Sequence, residues 1–116
     1  MSHETEPQHD PKRKLTETEW AREQLPDWRM LVDRLHGSFD TGDFVTAVKL
    51  VDAIAPAAEE MNHHPDLNVS YGRLDVSLSS HDVGGVTSRD VALARTISEL
   101  ARTAGATPHP ERTSAP

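Results

Sequence analysis

Cysteine is absent from the 116-residue chain, which removes disulfide frameworks, thiol nucleophiles and cysteine-ligated zinc from consideration. Aromatic residues are few (two Trp, one Tyr, two Phe) and apolar residues make up 35%, so the core of what should be a single domain is modest. Long apolar runs are missing as well. No stretch approaches the ~20 residues needed to cross a bilayer, and a membrane is not an expected partner. Basic side chains are in deficit, with 12 Lys and Arg against 19 Asp and Glu and a formal charge of −7. Surfaces that neutralise phosphates cluster Lys and Arg, so nucleic acid is not an expected partner either. The first fourteen residues carry no secretory-type apolar segment, and a cytoplasmic location is the simplest expectation.

What is present divides into a body and two tails. Residues 1–14 and 103–116 lack large aliphatic side chains, are rich in proline, and are each balanced in charge. Neither tail buries enough surface to offset its ordering entropy, and both are expected to be disordered. The body, residues 15–102, therefore carries the whole negative charge, with 8 basic against 15 acidic side chains.

Three helices and two strand regions are legible in the body. Thr16 followed by Glu19 has capping-box spacing for a short helix that Pro26 closes. Residues 28–39 alternate apolar and polar positions around Gly37, as a strand pair does. Asp43 is placed to cap a second helix, in which Phe44, Ala47, Val48, Val51, Ala55, Ala58 and Met61 recur at helical steps. Pro56 is expected to bend that helix by removing the bond to the Asp52 carbonyl, and Pro65 to end it, with His63 in its last turn. Residues 69–80 read as two short strands, or one with a bulge at Gly72, with Leu74, Val76 and Leu78 on one face. After a turn at Gly84 and Gly85, Thr87 and Asp90 form a second capping box with Val86 and Val91 as a hydrophobic staple. That third helix buries Leu93, Ala94, Ile97, Leu100 and Ala101. Helices alternating with antiparallel strand pairs give an α+β fold of one sheet and one helical layer.

The chemistry concentrates in histidine. His63 and His64 are adjacent and followed by Pro65, and His81 lies just past the second strand region beside the Gly-Gly turn. Taken singly, the neighbouring residues have structural explanations. His63 complements a helix C-terminus, Asp90 caps a helix, Tyr71 packs across strands, Trp28 fills core, and Glu59 and Glu60 are a solvated face. Three imidazoles with an open fourth position would make a zinc site, but two histidines four apart on a helix are missing. A Ser-His-Asp arrangement lacks its G-x-S-x-G elbow.

Taken together, Glu59, His63-His64-Pro65, Tyr71, His81 and Asp90, at this spacing, resemble the signature of the pterin-4a-carbinolamine dehydratases. The resemblance extends over residues 15–100 and includes Phe39, Phe44, the Ser-Ser-His run at 79–81 and Ser88-Arg89-Asp90. It departs at Thr41, where many relatives carry a second Phe, and at Pro56. The resemblance implies a four-stranded antiparallel sheet with three helices packed on one face, assembled as a homodimer or homotetramer. It implies dehydration of 4a-hydroxytetrahydrobiopterin to quinonoid dihydropterin and water, in tetrahydrobiopterin recycling, with no metal and no organic cofactor. His63, His64 and His81 would be the catalytic residues, and Pro65, Ser80, Asp82 and Val83 would bind the pterin. Glu59, Tyr71 and Asp90 would support them, and an aromatic amino acid hydroxylase would be a functional neighbour. Imidazole suits both proton transfers, since its ordinary pKa of about 6.5 lets it give and take protons near neutrality. The alternative from another class is a noncatalytic dehydratase-like interaction protein, a coactivator or assembly factor.

Overall fold

A computed structural model describes residues 10–113. Helix α1 (Glu17–Arg22) leads into strands β1 (Trp28–Leu31) and β2 (Arg34–Asp40), followed by helix α2 (Phe44–Met61). Strands β3 (Asp66–Ser70) and β4 (Arg73–Leu78), helix α3 (Ser88–Thr103) and a short strand β5 (Thr107–Pro108) complete the order, ending in a 3₁₀ turn (Pro110–Thr113). The sheet is antiparallel in the order β1-β2-β4-β3, with β5 pairing β2. The register pairs Leu35 with Leu78, Phe39 with Leu74 and Val69 with Leu74 across neighbouring strands. This is the expected α+β architecture, with a fifth short strand in addition.

Period-two patterning sends Trp28, Leu35, Phe39, Leu74, Val76 and Leu78 to one face, where all are buried against α2 and α3. Trp28 meets Phe39 edge to face with ring centroids 5.9 Å apart, and its indole Nε1 donates to the Ser98 hydroxyl at 2.9 Å. Both capping boxes form as the sequence spacing implied, at Thr16/Glu19 and Thr87/Asp90. Val86 and Val91 are both buried, as a staple requires.

Helix α2 differs from its expected facing. Ala47, Leu50, Ile54 and Ala58 are the buried row, while Phe44 and Val48 are 49% and 38% exposed and Ala55 faces solvent. The helix carries apolar residues on adjacent rows, and three- and four-residue spacing alone does not choose between them. Pro56 does not divide the helix, which runs unbroken from Phe44 to Met61. Its end comes three residues before Pro65: Asn62 turns left-handed at φ 51°. Asn62 N–H donates to Glu59 O and His63 N–H to Ala58 O, both at 3.1 Å, which is a Schellman closure.

The expected C-terminal tail also needs correction over its described part. Residues 103–113 finish α3, bury Ala106 and add β5 to the sheet. Asp40 then holds His109 Nε2 at 2.6 Å and an Arg112 nitrogen at 2.7 Å. Composition does not reveal such pairing, because the partner is 70 residues away in sequence. Of the N-terminal tail, residues 1–9 lie outside the described residues, as do 114–116 at the other end; residues 10–14 approach α1 and the loop before α3. Among the described residues no helix is long and apolar enough to cross a membrane.

Candidate functional site

The Schellman closure lifts His63 out of helix α2, correcting the expectation that it occupies the last helical turn. The ring is nine-tenths buried and its Nε2 lies 2.6 Å from Asp90 Oδ1. Asp90 is fully buried at the third position of α3. Its other oxygen, Oδ2, accepts the Ser80 hydroxyl at 2.7 Å and the Thr87 backbone N–H at 2.9 Å. One carboxylate therefore caps α3 and anchors a histidine. A carboxylate receiving three donors is a satisfied buried charge, and losing any partner is costly.

His64 points the other way along the chain. Its Nε2 lies 2.6 Å from Glu59 Oε2, one helical turn back, and both side chains are largely exposed. His81 sits in a tight turn in which Ser80 O accepts from the amides of Val83, Gly84 and Gly85, while Ser80 N–H donates to Gly85 O at 2.8 Å. Gly84 supplies the positive φ, 68°, that this turn needs. The His81 ring is exposed, and no hydrogen bond or ion pair of it occurs among the described residues. Beside it, the Arg89 guanidinium at 2.9 Å holds the Asp82 carboxyl below its ordinary range.

These pieces meet around one cavity of ≈ 350 Å³, a size usual for small-molecule sites. His63, His64, Pro65, His81 and Asp82 line it, so the helix end and the loop after β4 meet at one cavity. Other expected residues stand elsewhere. Ser80 and Asp90 lie behind the wall, spent on each other and on Thr87. Val83 and Glu59 are not in the lining. Tyr71 is 79% exposed at the tip of the β3–β4 hairpin, the end opposite the cavity, so it neither packs across strands nor reaches this chain's site. Asn62, Asp66, Ser79 and Arg89 are lining residues that the sequence reading did not assign. Asn62 was legible as a left-handed cap and Arg89 as the neighbour of Asp90; Asp66 and Ser79 carried no separate signal. A larger groove of ≈ 520 Å³ between α1 and β1 is walled by Trp20, Leu25, Pro26 and Trp28. It contains no histidine or carboxylate, so chemistry rather than size selects the site. It also takes Trp28 away from the histidine cavity. Among the described residues no three His, Asp or Glu are arranged to hold a metal ion.

Fold and cavity together define a small α+β protein with a paired-histidine loop facing a third histidine. The chain belongs to the pterin 4 alpha carbinolamine dehydratase family, whose family model matches residues 13–100. It is 44% identical over 77 residues to a Thermosynechococcus vestitus protein, covering 66% of this chain and 81% of that one. An Aquifex aeolicus protein is 42% identical over 92 residues, 78% of this chain and 93% of its own. Both carry the provisional name pterin-4-alpha-carbinolamine dehydratase. Among solved structures, a Brucella melitensis protein titled transcriptional coactivator/pterin dehydratase superposes with a TM-score of 0.72 at 32% identity, over 77% of this chain and 99% of that one. A pterin dehydratase-like RuBisCO assembly factor of the alpha-carboxysome shares the fold, with a TM-score of 0.56 at 24% identity over 65% of this chain and 89% of that one.

Proposed function

We propose that this protein is a hydro-lyase that dehydrates a 4a-hydroxytetrahydropterin, of which 4a-hydroxytetrahydrobiopterin is the reference substrate. The observation that carries the reading is the convergence of His63, His64 and His81 on one cavity, two anchored by carboxylates and the third without a partner among the described residues.

The reaction breaks the C4a–O bond and the N5–H bond. A proton reaches the 4a-hydroxyl, which leaves as water with its electron pair; the N5–H pair closes the C4a=N5 double bond, and the N5 proton passes to a base. His63 is committed through Nε2 to Asp90, so Nδ1 is the nitrogen left to exchange a proton with the substrate. His81, which has no partner among the described residues, takes the complementary role. His64, steadied by Glu59, orients the ring together with Pro65 and Asp82. General acid–base help of this kind contributes roughly 10²–10⁴-fold. Stopped-flow dehydration of freshly generated 4a-hydroxytetrahydropterin tests the proposal. The protein is expected to accelerate water loss well above buffer, and His63→Ala and His81→Ala each to remove most of the acceleration. A wild-type rate equal to that of buffer would overturn it.

A homodimer or homotetramer is the assembly this reading expects. The open edge of β3 and the exposed Phe44, Val45 and Val48 on α2 support it. Sedimentation at micromolar concentration tests this, and a monomer contradicts it. The same exposed residues favour the noncatalytic alternative, in which the family surface docks another protein, should the dehydration assay fail. A cytoplasmic setting beside an aromatic amino acid hydroxylase remains part of the proposal, as the source of the substrate.

A further inference from the structure

Arg89 lines the histidine cavity yet has no part in the proton transfers. Its guanidinium bridges two segments far apart in sequence: Nε donates to Pro11 O at 2.8 Å, and an Nη donates to Asp82 Oδ1 at 2.9 Å. Pro11 belongs to the arm that precedes α1; Asp82 is the residue after His81. The arm does not stop there. Lys12 Nζ lies 3.9 Å from Asp82 Oδ2, and the Lys14 stem packs so closely on Gly85 that an added Cβ there would sit 2.5 Å from Lys14 Cδ. Leu15 N–H donates to Val86 O at 2.8 Å, and the Leu15 side chain is buried. Residues 11–15 thus run alongside residues 82–86, the turn that carries His81.

We propose that Arg89 is a positioning residue that ties the N-terminal arm to the His81 turn, making the arm a brace behind the cavity wall that His81, Asp82 and Arg89 form. Among the described residues the His81 ring has no bond of its own, so the turn decides where it sits. That turn contains two adjacent glycines and is closed internally by bonds around Ser80. A planar guanidinium can satisfy two acceptors in different directions at once, which an ammonium at the end of a flexible stem does poorly. The kinetic consequence rests on the dehydratase reading; the mechanical tie does not.

The test compares Arg89→Gln, a chain lacking residues 1–12, and the two changes combined, in the otherwise intact protein. Each single change is expected to speed amide exchange at residues 82–86 and to lower kcat/KM by about tenfold, the scale of one lost charge-assisted hydrogen bond. The combination is expected to be little worse than the more damaged single, because both break the Pro11–Arg89–Asp82 bridge and the exposed Lys12–Asp82 contact at 3.9 Å adds little. Arg89→Lys keeps the charge but not the bridge and is expected to behave as Arg89→Gln. Losses that multiply in the combined variant, full rescue by Lys, or unchanged exchange at 82–86 would each overturn the proposal. If Arg89→Gln fails to fold, the shortened chain and Arg89→Lys decide the matter by the same readouts. Should the wild type lack dehydratase activity while exchange responds as described, the tie stands and the enzyme reading falls.

Discussion

Asp90→Asn is the substitution that most directly exposes how stability and site chemistry are joined. The carboxylate receives His63 Nε2, the Ser80 hydroxyl and the Thr87 amide in a fully buried position. An isosteric amide offers one acceptor oxygen and presents an NH₂ to at least one of those donors. Hydrogen bonds to a charged group contribute about 1.5–3 kcal/mol, and a stranded buried donor costs about 1–3 kcal/mol more. The two overlap, so the expected loss is about 3–5 kcal/mol, the range found when one partner of a buried pair is removed. A domain of this size is stable by about 5–15 kcal/mol, so the variant folds but sits near its margin. At about 4–8 °C per kcal/mol, the melting temperature should fall by more than ten degrees. His63 loses its orienting partner in the same step, and dehydration should slow by about 10²-fold even at temperatures where the variant is folded. Urea unfolding and stopped-flow kinetics on the same preparation measure both. An unchanged urea midpoint with unchanged kcat/KM would refute the reasoning, because it would mean that the three donors do not depend on the charge.

Other expectations follow from single residues. Gly37→Ala places a Cβ 2.9 Å from the Trp28 ring and should cost about 1–3 kcal/mol by overpacking, read as a lower thermal midpoint. Val32 holds a positive φ of 57° while 97% exposed, so Val32→Gly should raise stability by about 1 kcal/mol in urea unfolding. The His36 ring is held below its ordinary pKa, first by partial burial and then by the Arg34 charge. As pH falls, the unfolded chain therefore takes up that proton before the folded one. The His36 contribution to stability is present above the ordinary histidine value and is lost as pH drops through it toward the folded value. Urea midpoints between pH 8 and 5 should fall less steeply in His36→Gln than in wild type.

Much of this architecture was legible because the local signals are geometric. Thr87, Asp90, Val86 and Val91 stand at spacings that only a helix start explains, and the alternation of Leu74, Val76 and Leu78 admits one buried face. The meeting of His63, His64 and His81 was implied by the family resemblance, not by the placement of a helix end and a loop. Tertiary choices were less accessible. Apolar residues on adjacent rows of α2 left open which row meets the sheet, and Leu50 and Ile54 took the place of Phe44 and Val48. The C-terminal segment looked too polar to order, yet Asp40 collects His109 and Arg112 across the chain. Pro65 drew attention as the helix terminator, although Asn62, a residue that tolerates the left-handed region, does that work three positions earlier. The resemblance implied Ser80 as a ligand contact; its hydroxyl donates instead to Asp90, a bond between residues ten apart whose directions no pattern reveals.

The central claim is that three imidazoles surround a single bicyclic ligand. Long-range ¹H–¹⁵N spectra of the seven histidine rings, recorded while a stable dihydropterin is titrated in, measure it most directly. The rings of His63, His64 and His81 are expected to shift together at one saturation point while His36 and His109 stay still. Saturating pterin that moves none of the three, or moves His81 without the adjacent pair, would contradict it.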